Sequence, residues 1–412
     1  MNLGIEYNEK GQTQKALQEL KIALKLKPDD ARIYNNFGTV YTKMRLHQQA
    51  FDAFSKALEL KSDYSQAQYN LGTVYLHYKK YQEAIDCFQK ALTLKPYYAK
   101  AYNNLGYVYY LLDMSDNALE QFRKALHLNP NLMEAHLNLG RVYRGNRLYA
   151  LAFDEFGQAL ALSPDNPEVF QELAIAYNMK GSYDQAIGYL KKAIRLAPDS
   201  AQAYNILATS YRFKKLHKKA IEGYKKALSL DPDLSEAYYN LGLCYHDLKL
   251  YPKAIEYYKK TLDIKVDHVK AYNNLGTAYF ASGDCNQAIE EYKKALQIKP
   301  DYYKALNNLG NAYNKKGWYS KAKKTLQKAL QQSPRFSQAY NNLGDTFNLT
   351  GQYGDAIKHY QIALKLNPSL IKAHSNLADI YAKKVKDENK ALYHLKKAES
   401  LRESMQHTDN SQ

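Results

Sequence analysis

Asparagine recurs through this sequence at a fixed interval of 34 residues, often directly preceded by a second asparagine. An asparagine amide offers two N–H donors and one carbonyl acceptor, which together match the hydrogen-bonding groups of an extended peptide backbone. Asparagine is a mediocre helix former, so its persistence within a helical pattern needs a reason. The recurring residues, at the sixth position of the repeat, are Asn2, Asn36, Asn70, Asn104, Asn138, Asn240, Asn274, Asn308, Asn342 and Asn376; the fifth position adds Asn35, Asn103, Asn205, Asn273, Asn307 and Asn341.

Two interpretations of these amides remain open at this stage. They could bind the backbone of a partner peptide, with nearby aromatic rings holding its side chains, or they could hydrogen-bond neighbouring helices of the same chain. Under the first interpretation, the candidate peptide-binding residues are Asn36, Asn70, Asn104, Asn138, Asn240, Asn274, Asn308, Asn342, Asn376, Asn273, Asn307, Asn341, Tyr69, Tyr107 and Tyr239.

Motifs that carry out chemistry are missing from the sequence. It contains no GxxxxGK[ST] phosphate loop, no GxSxG nucleophile turn and no HExxH zinc helix. Cys87, Cys244 and Cys285 are odd in number and far apart, which fits neither a disulfide framework nor a zinc site. We therefore predict that the chain is not an enzyme and has no cofactor and no metal site.

The elements that position the asparagines follow from a second repeated pattern. Tyr34, Phe37 and Tyr41 have helical spacing, so they form one stripe on a first helix, and Ala50, Phe54 and Ala57 form a stripe on a second. Neither helix can bury its stripe alone, so stacked neighbours must supply a continuous core. By 100° per residue, the first helix carries the asparagines away from this core. The sequence therefore predicts an all-α protein of tandem helical pairs.

The repeated pattern resembles the tetratricopeptide repeat family, whose signature is W-x2-L-G-x2-Y, then A-x3-F, then P, at a 34-residue period. Phe37-Gly38-x2-Tyr41 followed by Ala50-x3-Phe54 is one copy, and equivalents continue to about residue 404. Tyrosine usually replaces the signature tryptophan, which explains much of the total of 40 tyrosines. The resemblance implies a right-handed superhelical α-solenoid of about twelve helix-turn-helix units, with the asparagines on its concave face.

The period divides the chain into one continuous array. The expected units are 1–30, 31–64, 65–98, 99–132, 133–166, 167–200, 201–234, 235–268, 269–302, 303–336, 337–370 and 371–404, followed by a disordered tail at 405–412. The last unit has one extra residue in its turn, and its polar second helix is typical of a cap. The first unit begins at its fifth position, so we expect a truncated N-terminus.

The charge and hydropathy of the chain limit which partners and which cellular location we expect. The net charge is +17, and lysine pairs recur on the second helix at Lys191-Lys192, Lys225-Lys226, Lys259-Lys260, Lys293-Lys294 and Lys396-Lys397. We expect a solvated convex face; a basic track for nucleic acid or an anionic membrane is the less favoured alternative. No stretch is long and apolar enough for a membrane span, and no signal peptide opens the chain. A cytoplasmic location is therefore expected.

The function predicted from these observations is a non-catalytic scaffold that binds extended peptides or partner helices on the concave face. A first alternative is the substrate-recruiting region of a glycosyltransferase, because the asparagine ladder resembles that of the repeat half of O-GlcNAc transferases and of kinesin light chain. A second alternative is a nucleic-acid or anionic-surface binder. The chaperone-binding carboxylate clamp of the family has only a near match, in Asn311, Asn342 and Lys372, with Asn307 where lysine should stand.

Overall fold

The computed structural model describes Asn2–Asn410, with side chains through Ser404. Within these residues the regular structure is entirely helical, and the prediction of an all-α array of helical pairs is confirmed. The helices are α1 (Asn2–Glu9), α2 (Thr13–Leu26), α3 (Ala31–Lys43), α4 (His47–Leu60), α5 (Ser65–His77), α6 (Tyr81–Leu94), α7 (Ala99–Leu111), α8 (Ser115–Leu128), α9 (Met133–Gly145), α10 (Tyr149–Leu162), α11 (Pro167–Lys180), α12 (Tyr183–Leu196), α13 (Ala201–Phe213), α14 (His217–Leu230), α15 (Ser235–Asp247), α16 (Tyr251–Ile264), α17 (Val269–Ala281), α18 (Cys285–Ile298), α19 (Tyr303–Lys315), α20 (Tyr319–Gln332), α21 (Ser337–Leu349), α22 (Tyr353–Leu366), α23 (Ile371–Ile380) and α24 (Glu388–Asn410).

The chain forms two compact units, each a row of helical pairs. Unit 1 runs to Pro198 and contains α1–α12, and unit 2 starts at Asp199 and contains α13–α24. We call the odd-numbered helix of each pair the A helix and the even-numbered helix the B helix. From α3 onward, every A helix begins at the first residue of a unit expected from the 34-residue period. The division at Pro198 falls between the sixth and seventh repeats, where Glu172 and Ile206 interrupt the asparagines.

The A and B helices of a repeat approach most closely at the glycine in the eighth repeat position. A Cβ atom on Gly242 would lie 2.7 Å from the Tyr258 ring, and one on Gly38 would lie 2.4 Å from the Phe54 ring. Both rings are fully buried on the B helix. Only a residue without a side chain therefore lets the large B-helix residue reach the backbone of the A helix.

Two repeats that carry alanine at this eighth position compensate on the B helix. Ala174 faces Leu190, a smaller residue than the rings found in most other repeats. Ala208 keeps a tyrosine, Tyr224, but the B helix has Gly223 beside it, and a Cβ there would lie 2.9 Å from the Ala208 Cβ. The volume added to one helix is thus removed from the other, as dense packing requires.

In the turn between the A and B helices, the residue two positions before the B helix adopts the left-handed backbone conformation. Glycine holds this position in five repeats, with φ of +74° at Gly11 and +77° at Gly351. In seven others it is a residue with a side chain, at φ of 58–61°: Arg45, Lys79, Asp113, Arg147, Lys215, Lys249 and Lys386. The left-handed conformation costs such residues roughly 1–2 kcal/mol each.

The last repeat departs from the others at the turn with the extra residue. There α23 passes directly into a π-helical turn at Tyr381–Val385, and Lys386 has φ of 59°. A π-helical turn accommodates one inserted residue without breaking the helix. Beyond it, α24 continues to Asn410, whereas a disordered tail was expected at 405–412; neither glycine nor proline stops the helix before Asn410. Ser411 and Gln412 lie outside the described residues.

We predict that Gly242→Ala lowers the free energy of unfolding by about 1–3 kcal/mol, because its new methyl group overlaps the Tyr258 ring. Gly188→Ala is the control: it lies in α12 with nothing near its Cβ, so it should stabilise by about 0.5–1 kcal/mol. Chemical denaturation measures both. Adding Tyr258→Leu to Gly242→Ala, which copies the Ala174–Leu190 pair, should cost less than the two single changes together; simple additivity would contradict the close-approach argument.

At the turn, Lys249→Gly should raise the free energy of unfolding by about 1 kcal/mol, because glycine adopts φ of 58° without steric cost. The reverse change, Gly351→Ala, should lower it by a similar amount, since nothing but the backbone conformation opposes the methyl group there. The midpoints of urea unfolding compare the two variants with the wild type. Equal midpoints for all three proteins would show that these turns carry no strain.

Candidate functional site

The A helices line the inner side of each unit. Successive A helices contact one another directly, for example α5 with α7 in unit 1 and α19 with α21 in unit 2. Each B helix instead packs against its own A helix and against the A helix that follows. The surface formed by the A-helix residues that face away from the B helices is called the inner surface below. It carries the asparagines identified in the sequence.

In eight repeats, the asparagine at the sixth repeat position joins its A helix to the preceding one. Its side-chain N–H donates to the side-chain oxygen at the fifth position of the previous repeat, 35 residues earlier. Asn308 Nδ2 lies 3.0 Å from Asn273 Oδ1, and Asn342 Nδ2 lies 2.8 Å from Asn307 Oδ1. The same bond joins Asn70 to Asn35, Asn138 to Asn103, Asn240 to Asn205 and Asn376 to Asn341. Joining neighbouring helices is therefore one role of these amides.

Tyr69 and Tyr239 occupy the fifth position and serve as acceptors in the same pattern. The hydroxyl oxygen of Tyr69 accepts from Asn104 Nδ2 at 3.1 Å, and that of Tyr239 accepts from Asn274 Nδ2 at 2.9 Å. Burial raises the pKa of Tyr69, and it raises the pKa of Tyr239 to about 12. Both rings also pack against aromatic rings of B helices and turns. The sequence suggested that they hold peptide side chains, but these hydroxyls act within the ladder.

In unit 2 the amide bonds link into one continuous chain. Within a repeat, the fifth-position amide donates to the sixth-position oxygen, as Asn307 Nδ2 does to Asn308 Oδ1 at 3.2 Å. Combined with the bonds between repeats, this gives an unbroken sequence of donors and acceptors that runs from Asn376 through Asn341, Asn342, Asn307, Asn308, Asn273 and Asn274 to Tyr239. Such chains polarise and strengthen their members.

Burial separates the predicted site residues into two groups. Asn273, Asn307 and Asn341 are only 5%, 6% and 2% exposed, so these three lie beneath the inner surface. Asn138 and Asn342 are also buried. The half-buried members, which reach the surface, are Asn36, Asn70, Asn104, Asn240, Asn274, Asn308 and Asn376. Tyr107 is half-buried as well and stacks on Tyr110, with ring centroids 6.3 Å apart.

An ion-pair cluster interrupts the ladder in unit 1. Arg141 donates to Asn138 Oδ1 at 3.0 Å and to Glu172 Oε1 at 2.8 Å, and it also pairs with Glu168. Arg144 contacts the other Glu172 oxygen at 3.0 Å. The sequence identified Glu172 as a break in the asparagine pattern but gave no sign of the arginines, because a period search ignores residues that occur once. Here charged groups replace the amides in joining the helices.

In unit 2 a carboxylate, Asp345, lies among the amides. It accepts from Asn376 Nδ2 at 2.7 Å and from the Tyr360 hydroxyl at 2.7 Å, and Lys372 Nζ lies 2.8 Å away. Burial and the nearby Asp345 charge raise the pKa of Tyr360. Asp345 borders an open cavity of about 420 Å³ on the inner surface, beside Phe280. Because Lys372 is already paired, the near match to a carboxylate clamp provides no unpaired cation for a peptide terminus.

Many lysines of the recurrent pairs are held by aromatic rings. Lys192 Nζ lies 5.8 Å from the centre of the Phe170 ring, Lys226 Nζ lies 6.0 Å from that of Tyr204, and Lys294 Nζ lies 5.9 Å from that of Tyr272. These rings occupy the signature aromatic position, so cation–π contact explains why the second lysine of the pair recurs. A structural contact thus accounts for part of the positive charge that suggested a nucleic-acid track.

Other candidate chemistry finds no support in the described part of the chain. Among residues 2–404, whose side chains the structure describes, no group of histidine, cysteine and carboxylate side chains is arranged to hold a metal ion. Burial raises the pKa of Cys87 and that of Cys244 to about 11, which leaves both thiols protonated at neutral pH. None of the described helices combines the length and the apolar character needed to cross a membrane.

We predict that Asn307→Ala lowers the free energy of unfolding by about 1–3 kcal/mol, because it leaves the buried Asn342 amide without its acceptor. Asn117→Ala is the matched control, since Asn117 is exposed on α8 and its loss should change stability by less than about 0.5 kcal/mol. Thermal and urea unfolding provide the comparison. Equal stability of the two variants would mean that the ladder does not hold the helices together.

Family models for the tetratricopeptide repeat match the sequence along nearly its whole length. One matches residues 29–96, 63–131, 199–267 and 233–301, and others with the same description match 143–209, 279–343 and 104–167. A model described as TPR repeat matches residues 4–44 and 344–385. A search of curated proteins finds no match.

Solved structures of similar fold include two repeat proteins. The structure of the APC/C hetero-tetramer Cut9-Hcn1 is 15% identical, with a TM-score of 0.55, and the match covers 97% of this chain and 92% of that one. The human IFIT1 dimer with PPP-AAAA is 23% identical, with a TM-score of 0.56, and the match covers 88% of this chain and 89% of that one. At these identities the likeness establishes the fold alone.

Proposed function

Because the chain belongs to the tetratricopeptide repeat family, we propose that it is a non-catalytic protein-interaction scaffold whose inner surface binds an extended peptide segment. The observation that carries this proposal is the row of half-buried sixth-position amides, each already oriented by a bond to the preceding repeat. An oriented amide loses little conformational entropy when a ligand binds it.

Sixth-position amides such as Asn274 and Asn308 retain hydrogen-bonding capacity after they have joined two helices. An asparagine side chain has two N–H donors and an oxygen with two lone pairs. In the ladder Asn274 uses one donor toward Tyr239 and one lone pair toward Asn273, and Asn308 uses its groups similarly. The remaining donor and lone pair suit the C=O and N–H groups of an extended backbone. Main-chain bonds of this kind provide affinity that depends little on peptide sequence.

Unit 2 is the better candidate for this site. Both units carry five successive sixth-position asparagines, but in unit 2 the amide bonds form an unbroken chain from Asn376 to Tyr239, whereas in unit 1 the ladder ends at the charged cluster of Glu172 and its arginine partners. The cavity beside Asp345 and Phe280 lies on the same surface. An acidic group and an aromatic ring at one end of an amide row provide a place where a peptide side chain can be selected.

The substrate-recruiting region of a glycosyltransferase remains the alternative with the same site. It uses the same amides and the same mode of peptide binding, and it differs only in what the bound peptide is delivered to. A transferase activity gained when this chain is joined to a catalytic domain, and absent from either part alone, would favour it over a free-standing scaffold.

Nucleic acid is the second alternative. Unit 2 carries most of the net positive charge of the chain, and human IFIT1, whose fold is similar, was solved with PPP-AAAA. Binding through phosphates weakens steeply with salt, whereas backbone amide contacts do not. A single-stranded RNA oligonucleotide titrated at 50 and 200 mM salt therefore distinguishes this alternative from peptide binding.

The peptide proposal predicts a specific difference between two variants that break the same bond. Asn274→Ala removes both the bond to Tyr239 and the surface amide, whereas Tyr239→Phe removes the bond but leaves the amide in place. With a peptide selected on the wild type from a displayed library of unstructured sequences, Asn274→Ala should weaken binding about five- to tenfold more than Tyr239→Phe. Calorimetric titration of both purified variants measures the difference.

Unfolding curves of the same two variants serve as the control. Both variants lose the inter-repeat bond, and Asn274→Ala should lose further stability because it also removes the acceptor of the buried Asn273 amide, so peptide affinity is compared where both variants are fully folded. An equal loss of peptide affinity in the two variants would show that the amide only joins helices. In that case the inner surface would not be a backbone-binding site.

A further inference from the structure

The 23rd residue of each repeat, here called the filler residue, lies on the B helix between two A-helix positions, the fourth and the eleventh. In repeat 6 the filler Tyr189 stacks on Tyr177 with ring centroids 5.5 Å apart and planes 13° apart, and Phe170 lies on its other side at 6.1 Å. The filler Tyr257 does the same in repeat 8, against Tyr245 at 5.3 Å and Tyr238 at 6.4 Å. An aromatic ring therefore fits this place in the fold.

Other repeats fill the same place with other groups. Histidine occupies it in repeat 11, where His359 lies 4.9 Å from Phe347 and 6.3 Å from Tyr340. Glu155 occupies it in repeat 5 and bonds His136 Nδ1 at 2.6 Å. In repeat 7 the filler is Gly223, but lysine ammonium groups lie over the two flanking rings, Tyr204 and Tyr211, at 6.0 and 5.8 Å.

Repeat 2 leaves this place open. Its filler residue is Ala53, and the flanking residues are Tyr34 and Tyr41. A third aromatic residue, Phe37, stands at a position where most repeats have leucine. These side chains and Leu24 of the preceding B helix line an open, mostly apolar cavity of about 400 Å³. Three aromatic walls around a missing ring form a concave site of the size that binds small ligands.

The charged residues at the mouth of this cavity indicate which residues would flank an aromatic side chain bound in it. Lys21 and Lys56 lie at the rim with one carboxylate, Asp52, whose oxygen accepts from Gln48 Nε2 at 3.0 Å. Lys56 pairs with Glu59 at 2.9 Å, so Lys21 is the cation at the rim that is left for an entering acidic group. Acidic groups on either side of an entering ring would complement this lysine, whereas basic groups would be repelled.

We propose that the cavity of repeat 2 binds an aromatic side chain, tyrosine above all, presented by an acidic segment of a partner protein. The ring would lie between Tyr34 and Tyr41, where the chain's own Tyr189 and Tyr257 lie in repeats 6 and 8. This site faces the B helices. By helical phase it lies on the side of α3 opposite Asn35 and Asn36, so it is separate from the inner surface and does not depend on the peptide-binding proposal.

The test uses the full chain and three N-acetylated, C-amidated pentapeptides as probes: Glu-Glu-Tyr-Glu-Glu, Glu-Glu-Ala-Glu-Glu and Lys-Lys-Tyr-Lys-Lys. Titration is followed by NMR shifts of the Tyr34 and Tyr41 ring protons. The acidic tyrosine peptide should bind at least tenfold more tightly than either of the others. Equal binding of the alanine peptide would show that the charges alone bind the peptide, and it would overturn the proposal.

Ala53→Tyr fills the cavity with the residue that repeats 6 and 8 use. It should weaken binding of the acidic tyrosine peptide at least tenfold and raise the midpoint of thermal unfolding. Gln121→Tyr is the matched control, because it places tyrosine at the filler position of repeat 4, away from the cavity, and should leave binding unchanged. Unchanged affinity in Ala53→Tyr would overturn the proposal.

A second variant covers the case in which Ala53→Tyr folds poorly. Tyr34→Leu removes one wall of the cavity without adding volume, and it should weaken binding of the tyrosine peptide about fivefold while the alanine peptide is unaffected. p-Cresol, a probe for the ring alone, should shift the same ring protons in the wild type but not in Ala53→Tyr. No p-cresol shift in the wild type would exclude a ring-binding cavity.

Discussion

The distance between the A and B helices of a repeat is fixed where a glycine faces a large B-helix side chain. With a Cβ on Gly38 or Gly242 the rings of Phe54 and Tyr258 could not reach the A-helix backbone. This contact sets the distance between the two helices of a repeat. It therefore also sets the position of the next A helix, which packs against the B helix. The amide bonds between repeats, which span fewer than 3.5 Å, depend on that spacing. In two of the repeats with alanine, the B helix carries a smaller residue, Leu190 or Gly223, which offsets the added methyl group.

In the asparagine ladder, amides that join helices lie directly beneath the amides that we propose bind a peptide. The fifth-position amides are buried and complete the polar contacts between helices, so that few buried polar atoms lack a partner there. The sixth-position amides lie at the edge of the same network and are held in place by it. A binding group works best when a second layer of contacts fixes its orientation. The ladder provides that second layer from within the repeat pattern itself.

Much of this fold could be predicted from the sequence, because the residue pattern of each helix recurs in about twelve repeats. The A helices begin at the predicted residues, and the glycine and aromatic positions pack as their spacing indicates. The partner of each amide could not be predicted, since helical phase places Asn307 and Asn308 on one surface without saying which is covered. Residues that occur once, such as Asp345 and Arg141, escape a period search for the same reason. The π-helical turn at Tyr381–Val385 reflects an inserted residue whose accommodation depends on packing.

The amide bonds of the ladder that join repeats all point the same way, because each sixth-position N–H in them donates to the repeat before it. The amide dipoles of unit 2 are therefore aligned from Asn376 toward Tyr239, and the two ends of the row are chemically different. A polypeptide also has a direction, set by the order of its N–H and C=O groups. Under the peptide binding proposed above, an aligned row of amides would distinguish a segment bound in one orientation from the same segment reversed.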